Sequence, residues 1–339
     1  MKPSLKRRML LAAQAGLYRS GLAWAYTKST ASQGATILLY HSVAEPEEAA
    51  SIAPANHLAP TRFREQMTFL AEHRRVVALD TLVEELRAGH TPPSGTVAIT
   101  FDDGYRDNLT VAAPILDELG LPATLFLPTG WIDRNEAPWA DRLHHACRER
   151  TGSRVTVDGA SVEVRSSEEA LALCRRLNTP LIEDSLQGRE ERLEALVAEL
   201  APARPTPRLL LSWDDTRELK RRFPRFGLGL HSVDHLDLTR VGETELEHQI
   251  AGGIERIQSE LGEPPTGFAY PYNRHDARVR ARVREHLPSA VASSGPIQAR
   301  AGCDLMALPR IDPHPSHSLF AYHTSGAHPR LTRALLRRA

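Results

Sequence analysis

Seven short apolar runs recur along the chain, and polar residues follow each of them. The runs cover residues 35–42, 96–104, 122–130, 225–232, 267–273, 289–294 and 305–312. They are continuously apolar rather than alternating, which is typical of strands buried on both faces of a parallel sheet. We therefore predict seven parallel strands.

Stretches with helical periodicity separate these runs. They cover residues 61–73, 80–88, 110–119, 243–261 and 275–286. Regular alternation of strands and helices indicates an α/β fold, and about seven such units favour a distorted (β/α)7-type barrel. We expect this barrel to occupy residues 35–339.

Two segments depart from the alternation. Residues 133 to about 210 are rich in charge and helix formers and end in the Pro-rich "APARPTPR", so we predict a helical insertion over one end of the barrel or, alternatively, a small subdomain. We expect Trp139, Asp141 and Trp213 to anchor it. Residues 1–34 form a basic, amphipathic helical segment that is too short and too interrupted to span a bilayer. We expect it to pack on the domain, with peripheral contact to an anionic membrane surface as the alternative.

Charge and cysteine usage narrow the function classes. Lys plus Arg and Asp plus Glu each number 42, so no overall field favours nucleic acid as a partner. Basic residues nevertheless concentrate in the first 28 positions, which contain no acid, and in the tail at Arg330, Arg333, Arg337 and Arg338. The three cysteines are widely spaced and odd in number, which argues against a disulfide framework and favours a cytoplasmic location, with association to the inner membrane surface through the basic N-terminal segment as the alternative. The oligomeric state is not predicted.

Polar side chains cluster where the predicted strands end. The strand ends carry His41, Asp102, Asp103, His231, Tyr270, Tyr272 and Arg310. The carboxyl ends of the strands of a parallel barrel share one face, and active sites are built there. Residues that are distant in sequence are therefore expected to converge.

Two of these strand ends together predict a metal site. Asp102 and Asp103 are adjacent carboxylates after a buried strand, where their mutual repulsion and lost hydration call for a nearby positive charge. His231 and His235 lie four positions apart, a spacing that aims two imidazoles at a common point. Two imidazoles and one carboxylate form a three-ligand site with open positions. The neighbouring carboxylate points elsewhere and remains available as a general base.

The motifs "TFDDGYRDN", "HSVDH" and "FAYPYN", in this order, resemble those of the polysaccharide deacetylase family, the NodB-like carbohydrate esterases. The resemblance covers roughly residues 36–312. It implies that Asp102 is the catalytic base and that Asp103, His231 and His235 bind a divalent metal. The metal it implies is most simply Zn²⁺, with Fe²⁺, Co²⁺, Ni²⁺ or Mn²⁺ as alternatives. It also implies that the backbone N–H of Tyr272 stabilises the oxyanion.

The chain departs from the family pattern at three points. Where many members have an Arg that pairs with the base, the third motif has Ala269 and Tyr270. Asn273 replaces a frequent Gly, and the late motif that carries a general-acid His is not recognisable. The start "YHS" resembles the exopolysaccharide-biosynthesis branch, in which a His at the position of His41 enters the active site. We predict His41 as the general acid, with His314 as second candidate.

The resulting hypothesis is a hydrolase of linear amide C–N bonds. It would remove acetyl from N-acetylhexosamine units of a polysaccharide or of its lipid-linked precursor. We assign Tyr270, Arg310 and His314 to binding of this glycan. Two alternatives remain: hydrolysis of another non-peptide C–N bond on the same fold, and a catalytically dead carbohydrate-binding barrel.

Overall fold

A computed structural model describes residues 5–23, 25, 34–157, 159–293 and 298–327. The basic residues Lys2 and Lys28 and the arginines of the tail, which the sequence singled out, lie outside the described residues. The predicted strand at 289–294 lies within the described residues except for its last position, 294.

Seven parallel strands close into a barrel. They are β1 (Thr36–Tyr40), β3 (Thr96–Phe101), β4 (Ala123–Leu127), β7 (Phe226–Leu230), β8 (Phe268–Ala269), β9 (Ala290–Ala292) and β10 (Leu308–Ile311). The strands neighbour one another in the order β1, β3, β4, β7, β8, β9, β10, and β10 pairs with β1 to complete the circle. All seven predicted strands and the predicted (β/α)7-type barrel are confirmed.

Three strands were not predicted. The two-residue strand β2 (Arg75–Val76) pairs in parallel with the start of β3. Within the insertion, β5 (Arg154–Val157) and β6 (Ala160–Glu163) form an antiparallel hairpin. All three are short, and at least half of the positions in each are exposed, so they lack the long apolar run that marked the barrel strands.

Helices surround the barrel and fill the connections. The predicted stretches correspond to Pro60–His73, Leu79–Arg87, Asn108–Ala112 with Ala113–Glu118, Glu243–Glu247 with His248–Gly252 and Gly253–Leu261, and Ala277–His286. Asn108–Ala112 and His248–Gly252 are π-helical segments. Further helices are Leu5–Arg19, Pro46–Ala49, Thr129–Arg134, Trp139–Glu149, Ser167–Glu183, Leu186–Leu200, Trp213–Arg222 and His317–His323, and two short 3-10 helices span Pro271–Asn273 and Leu305–Ala307.

Small side chains around one large aromatic ring fill the barrel interior. Six barrel strands contribute one buried residue each to a single apolar cluster: Ile37, Ala98, Phe126, Ala269, Val291 and Leu308. The seventh strand contributes Gly229, which lies in register with Phe126 on the neighbouring strand. The glycine leaves the space that the phenyl ring occupies, because a Cβ at this position would overlap the Phe126 ring.

The insertion has an apolar core of its own. Leu143, Leu173, Leu193 and other side chains of its helices form a buried cluster distinct from the barrel cores. Four hydrogen bonds fasten this insertion to the barrel. Trp139 Nε1 donates to Tyr272 Oη at 2.9 Å. Asp141 accepts from Tyr105 Oη at 2.6 Å and from the Ala53 N–H at 2.7 Å. Trp213 Nε1 donates to Asp133 Oδ1 at 2.7 Å.

The first helix, Leu5–Arg19, packs against His317–His323 near the end of the described chain. The Tyr18 and His317 rings meet edge to face at 6.2 Å, and Arg19 Nε donates to Ser318 Oγ at 3.3 Å. This agrees with the expectation of a helix packed on the domain. Among the described residues, no helix combines the length and the apolar character that a bilayer crossing requires.

The Gly229–Phe126 contact predicts an overpacking effect. Gly229→Ala should lower the free energy of unfolding by about 1–3 kcal/mol, because the new methyl group meets the Phe126 ring in the closed interior. Urea unfolding followed by circular dichroism would measure it. Adding Phe126→Leu to Gly229→Ala should recover part of the loss. Gly152→Ala, in an exposed loop with only ordinary contacts around it, is the control and should change little. Equal effects at the two glycines would contradict the packing argument.

Candidate active site

The end of β3 sends two adjacent carboxylates to different partners. Asp102 continues the sheet, since its N–H donates to Tyr40 O at 3.0 Å. Asp103 and Gly104 then both adopt left-handed backbone, with φ of 70° and 68°. Asp tolerates this conformation better than most residues with a side chain, and Gly adopts it freely. The sharp turn lets Asp102 and Asp103 contact different groups although they are neighbours.

Asp102 forms a buried bidentate ion pair with Arg310 from β10. Arg310 Nη1 donates to Asp102 Oδ1 at 2.7 Å and Nη2 donates to Oδ2 at 2.6 Å. Nη1 also lies 3.3 Å from Thr100 Oγ1, and the guanidinium lies over the Phe126 ring at 5.7 Å. Both side chains are almost fully buried. Charge-assisted pairs of this fork geometry are strong and directional.

This ion pair keeps Asp102 ionised. Burial by itself would raise the pKa of Asp102, but the charge and the hydrogen bonds of Arg310 bring that pKa below its ordinary value. The sequence assigned Arg310 to glycan binding, and the structure corrects this assignment. Its guanidinium is enclosed against Asp102 and does not face a substrate. Arg310, from β10, thus takes the role of the base-pairing arginine that the third motif lacks.

Asp103, His231 and His235 form the candidate metal centre. One ligand atom from each lies within 4.8 Å of the others. His231 Nε2 is 3.5 Å and His235 Nε2 is 3.4 Å from Asp103 Oδ1. That carboxylate oxygen is buried and has no hydrogen-bond donor among the described residues. A buried carboxylate oxygen without a donor, facing two imidazole nitrogens, suits a divalent cation.

The protonation states of this group suit metal binding. His231 Nδ1 donates to Ala269 O at 2.8 Å, because a carbonyl can only accept, and this leaves the Nε2 lone pair directed toward Asp103. Burial lowers the pKa values of His231 and His235, so both rings are neutral at pH 7. Burial, and then the charge of Asp102, raises the pKa of Asp103 well above its ordinary value. A cation would remove that penalty.

The second motif is a strained loop held by a buried glutamine. Ser232 and His235 have left-handed backbone, with φ of 62° and 51°. Gln249 Oε1 accepts from the N–H groups of Val233 at 3.1 Å and Asp234 at 2.8 Å, and Ser232 Oγ accepts from the His235 N–H at 3.0 Å. The His-x3-His spacing therefore works here through a loop and not a helical turn. The surrounding contacts stabilise a backbone that is unfavourable by itself.

The third motif forms a tight turn beside the metal group. Tyr272 and Asn273 both have left-handed backbone, with φ of 55° and 57°, and Asn273 Oδ1 accepts from the Ser293 N–H at 2.8 Å. The substitution of Asn for Gly is thus compatible with the turn, since Asn tolerates this conformation. The Tyr272 ring meets His235 edge to face at 4.6 Å, and its hydroxyl donates to His235 O at 3.0 Å.

His41 lies beside the base, at the end of β1. Charge interactions link it to Asp102, Arg310 and His231, and burial lowers its pKa to about 4. Its backbone carbonyl accepts from Asn108 Nδ2 at 2.8 Å. The next turn is tied to Asp107, which accepts from Ser42 Oγ at 2.7 Å and from the Val43 N–H at 2.8 Å. The "YRDN" that follows the two aspartates therefore holds the His41 loop.

The two π-helical segments both support this site. Asn108 begins Asn108–Ala112 and holds the strand end at His41. Gln249 lies in His248–Gly252 and holds the loop from His231 to His235, which carries two of the candidate metal ligands and is called the metal-ligand loop below. The extra residue of a π-turn re-aims side chains, and such segments occur frequently at functional sites. Neither role could be identified from sequence, because each depends on a loop more than a dozen positions away.

The two other residues assigned to glycan binding, Tyr270 and His314, contact other parts of the chain. Tyr270 is 1% exposed, its hydroxyl donates to Met306 O at 2.8 Å, and its ring packs on His275. The structure corrects that assignment, because Tyr270 offers no surface to a substrate. His314 is half-buried in the loop after β10, and its Nδ1 accepts from the Ser316 N–H at 2.9 Å. A role of His314 as acid or glycan contact stays a prediction.

Two residues that contact the candidate metal ligands, Trp131 and Arg189, were not predicted from the sequence. Trp131 stacks on the His235 ring at 4.8 Å with an interplanar angle of 20°. Arg189 comes from the insertion and donates to the carbonyls of Asp234 at 3.1 Å and His235 at 3.3 Å. Neither lies in a motif. The role of Arg310 did carry a signal, because an arginine inside an apolar strand end needs a carboxylate partner.

Solved structures share this fold. The deacetylase PplD of Streptococcus pyogenes in complex with acetate is 19% identical, with a TM-score of 0.58, over 87% of this chain and 99% of that chain. IcaB from Ammonifex degensii is 16% identical, with a TM-score of 0.56, over 87% and 97%. The polysaccharide deacetylase BC0361 from Bacillus cereus is 16% identical, with a TM-score of 0.55, over 86% and 69%. No curated protein sequence gave a significant match.

The sequence profile of the polysaccharide deacetylase family matches residues 89–287, which is more than half of the chain. The matched range contains both aspartates, both metal-site histidines and the third-motif turn. The chain therefore belongs to the polysaccharide deacetylase family and is a hydrolase of amide C–N bonds.

Proposed function

We propose that this protein is a metal-dependent N-deacetylase of N-acetylhexosamine units in a polysaccharide or in its lipid-linked precursor. One observation carries the proposal. Asp103, His231 and His235 form a buried group that could hold a metal ion, and the ionised carboxylate of Asp102 lies beside this group without being one of its ligands. A ligand set and a separate base are what metal-assisted amide hydrolysis requires.

Asp103, His231 and His235 would hold the cation. The donor set of two imidazole nitrogens and one carboxylate oxygen favours Zn²⁺, with Fe²⁺, Co²⁺, Ni²⁺ or Mn²⁺ as alternatives. When bound, the ion would polarise the acetamide carbonyl and acidify the attacking water. The buried Asp103 oxygen without a donor supports this occupancy.

Asp102 acts as the general base. Its Oδ2 lies 3.7 Å from His231 Nε2, so it borders the metal group without belonging to it. Arg310 holds both carboxylate oxygens in one orientation and keeps the carboxylate ionised at pH 7. A positioned, ionised base beside the reacting water contributes typically 10²–10⁴-fold to the rate.

Oxyanion stabilisation and protonation of the amine complete the reaction. The backbone N–H of Tyr272, in the third-motif turn, is the proposed donor to the oxyanion. The departing amine needs a proton, or the intermediate collapses back. His41 is neutral at pH 7 and lies beside Asp102, so we assign it the relay of the proton that Asp102 takes up. The products are acetate and an amino sugar.

We also propose that the enzyme works at the cytoplasmic side of a membrane. The acid-free first 28 residues and the widely spaced cysteines support this location. A lipid-linked or nucleotide-linked sugar precursor would then be the available substrate.

Removing the metal tests the proposed chemistry directly. Chelation followed by dialysis should abolish acetate release from N-acetylglucosamine oligosaccharides, and Zn²⁺ should restore it. His235→Ala should contain much less than one equivalent of metal by elemental analysis, whereas His90→Ala, on the surface, should match the parent protein. Turnover of small amides without turnover of the oligosaccharides would favour another C–N bond as the target. Full activity without metal would refute the proposal.

Replacement of the base should separate chemistry from metal binding. Asp102→Asn should lower acetate release by about 10²–10⁴-fold while metal content is kept, because the base is lost and all three ligands remain. Enzyme kinetics and elemental analysis on the same sample would measure this. Asp117→Asn, in an exposed ion pair with Arg225, is the matched control. Unchanged turnover in Asp102→Asn would remove Asp102 from the mechanism.

Loss of Arg310 should change the pH profile. Asp102 works only when ionised, and Arg310 keeps its pKa low, so Arg310→Met should raise that pKa. The acidic limb of the kcat/KM profile should then move to higher pH by about 1 unit or more. Arg310→Lys, which keeps a positive charge, should move it less. An unshifted acidic limb in a folded Arg310→Met protein would show that Asp102 is not the group that titrates.

A further inference from the structure

We propose that Arg189, supplied by the helical insertion, is a positioning residue that locks the metal-ligand loop and the third-motif turn together. The inference rests on the proposed metal-dependent function. It makes residues 133–210 a working part of the active site rather than a cover over the barrel.

Arg189 is buried in a way that stability alone does not explain. Its side chain is 0% exposed in the helix Leu186–Leu200, and its nearest carboxylate oxygen, on Glu190, lies 3.8 Å from Nε. That carboxylate is engaged by Arg142 at 2.6 Å. A buried guanidinium without a close carboxylate is costly, and an apolar side chain of similar volume would often serve stability as well. The two Nη groups instead donate to backbone carbonyls beside the candidate metal group.

These two carbonyls lie in the metal-ligand loop. Nη2 donates to Asp234 O at 3.1 Å and Nη1 donates to His235 O at 3.3 Å. Both carbonyls flank the left-handed His235, which carries a metal-binding imidazole. Two parallel donors on successive carbonyls define the peptide orientation, and a left-handed residue with a side chain needs such support.

The same guanidinium reaches the third-motif turn. Nη1 lies 3.4 Å from Tyr272 Oη, and that hydroxyl donates to His235 O at 3.0 Å and accepts from Trp139 Nε1 at 2.9 Å. The guanidinium also lies over the Trp139 ring at 5.7 Å. The insertion therefore contributes both Arg189 and Trp139 to one network, and the Tyr272 hydroxyl is its junction.

This network acts on the reacting centre indirectly, through the backbone of His235 and of Tyr272. It places His235 relative to Asp103 and places the Tyr272 backbone relative to His235. Residues that orient metal ligands in this indirect way typically contribute about 10–100-fold to metal affinity or activity. We therefore expect Arg189 to influence metal affinity and kcat more than KM.

Metal affinity measured without substrate tests the proposal. Isothermal titration of the metal-free full-length protein with Zn²⁺ should give a Kd at least about tenfold weaker for Arg189→Met than for the parent chain. Arg189→Lys, which reaches only one carbonyl, should fall between them. Arg176→Met, an exposed arginine of the same insertion, should bind Zn²⁺ like the parent chain.

Thermal unfolding with and without Zn²⁺ distinguishes positioning from support of the fold. A positioning residue predicts that the rise in Tm on adding Zn²⁺ shrinks, because ligand stabilisation follows Kd. A residue that only supports the fold would lower both Tm values equally and leave the Zn²⁺ shift intact, which would overturn the proposal. If Arg189→Met does not fold, Tyr272→Phe removes the junction hydroxyl and keeps the backbone N–H. It should weaken Zn²⁺ binding in the same direction, and unchanged binding would overturn the proposal.

The outcomes separate this inference from the proposed function. A parent chain that binds Zn²⁺ and releases acetate, with folded Arg189→Met equal to it in both, would overturn the positioning role and leave the function standing. A parent chain that neither binds Zn²⁺ nor releases acetate would overturn both. Non-additive losses in Arg189→Met combined with Tyr272→Phe would support the single network.

Discussion

The active site depends on the ion pair between Asp102 and Arg310, because it gives two adjacent buried carboxylates, Asp102 and Asp103, different partners. Asp102 is neutralised by Arg310 through two short hydrogen bonds, and Asp103 is left with a buried oxygen that no described residue serves. Removing one partner of such a buried pair typically costs about 3–5 kcal/mol. Each partner is therefore needed to keep the other from becoming an unpaired buried charge. The pair also fixes the orientation of Asp102, while the Asp103 oxygen faces the two imidazoles.

The barrel makes this division possible because it brings strand ends together. Asp102 follows β3 and Arg310 lies in β10, and both of these strands pair with β1, so the pair closes across it. The interior beneath them is filled by Phe126, whose ring underlies the guanidinium, and Gly229 leaves room for that ring. Phe126 therefore both fills the barrel interior and contacts the arginine that orients Asp102. Left-handed backbone at Asp103, Ser232, His235 and Tyr272 lies in the loops above the strands, and the buried amide of Gln249 stabilises the loop that contains Ser232 and His235.

Sequence patterns predicted the barrel well because its strands are buried on both faces. Seven apolar runs at regular intervals are a strong signal, and all seven form strands. The hairpin Arg154–Val157 with Ala160–Glu163 was missed because its residues are largely exposed and carry no such run. Within the site, Asp103, His231 and His235 converge as their motifs suggested. Tyr270 and Arg310 were placed at the correct strand ends, but the direction of each side chain depended on what lies across the barrel.

The amino-acid sequence by itself determined the barrel, the two aspartates, the two histidines and the family, because these are encoded locally in periodicity and in short motifs. Only the tertiary structure decided the partners. Arg310 pairs with a carboxylate 208 positions away, and Arg189 reaches the carbonyl of a histidine 46 positions away. Such contacts follow from chain closure and packing, since no local pattern specifies which distant group will satisfy a buried charge.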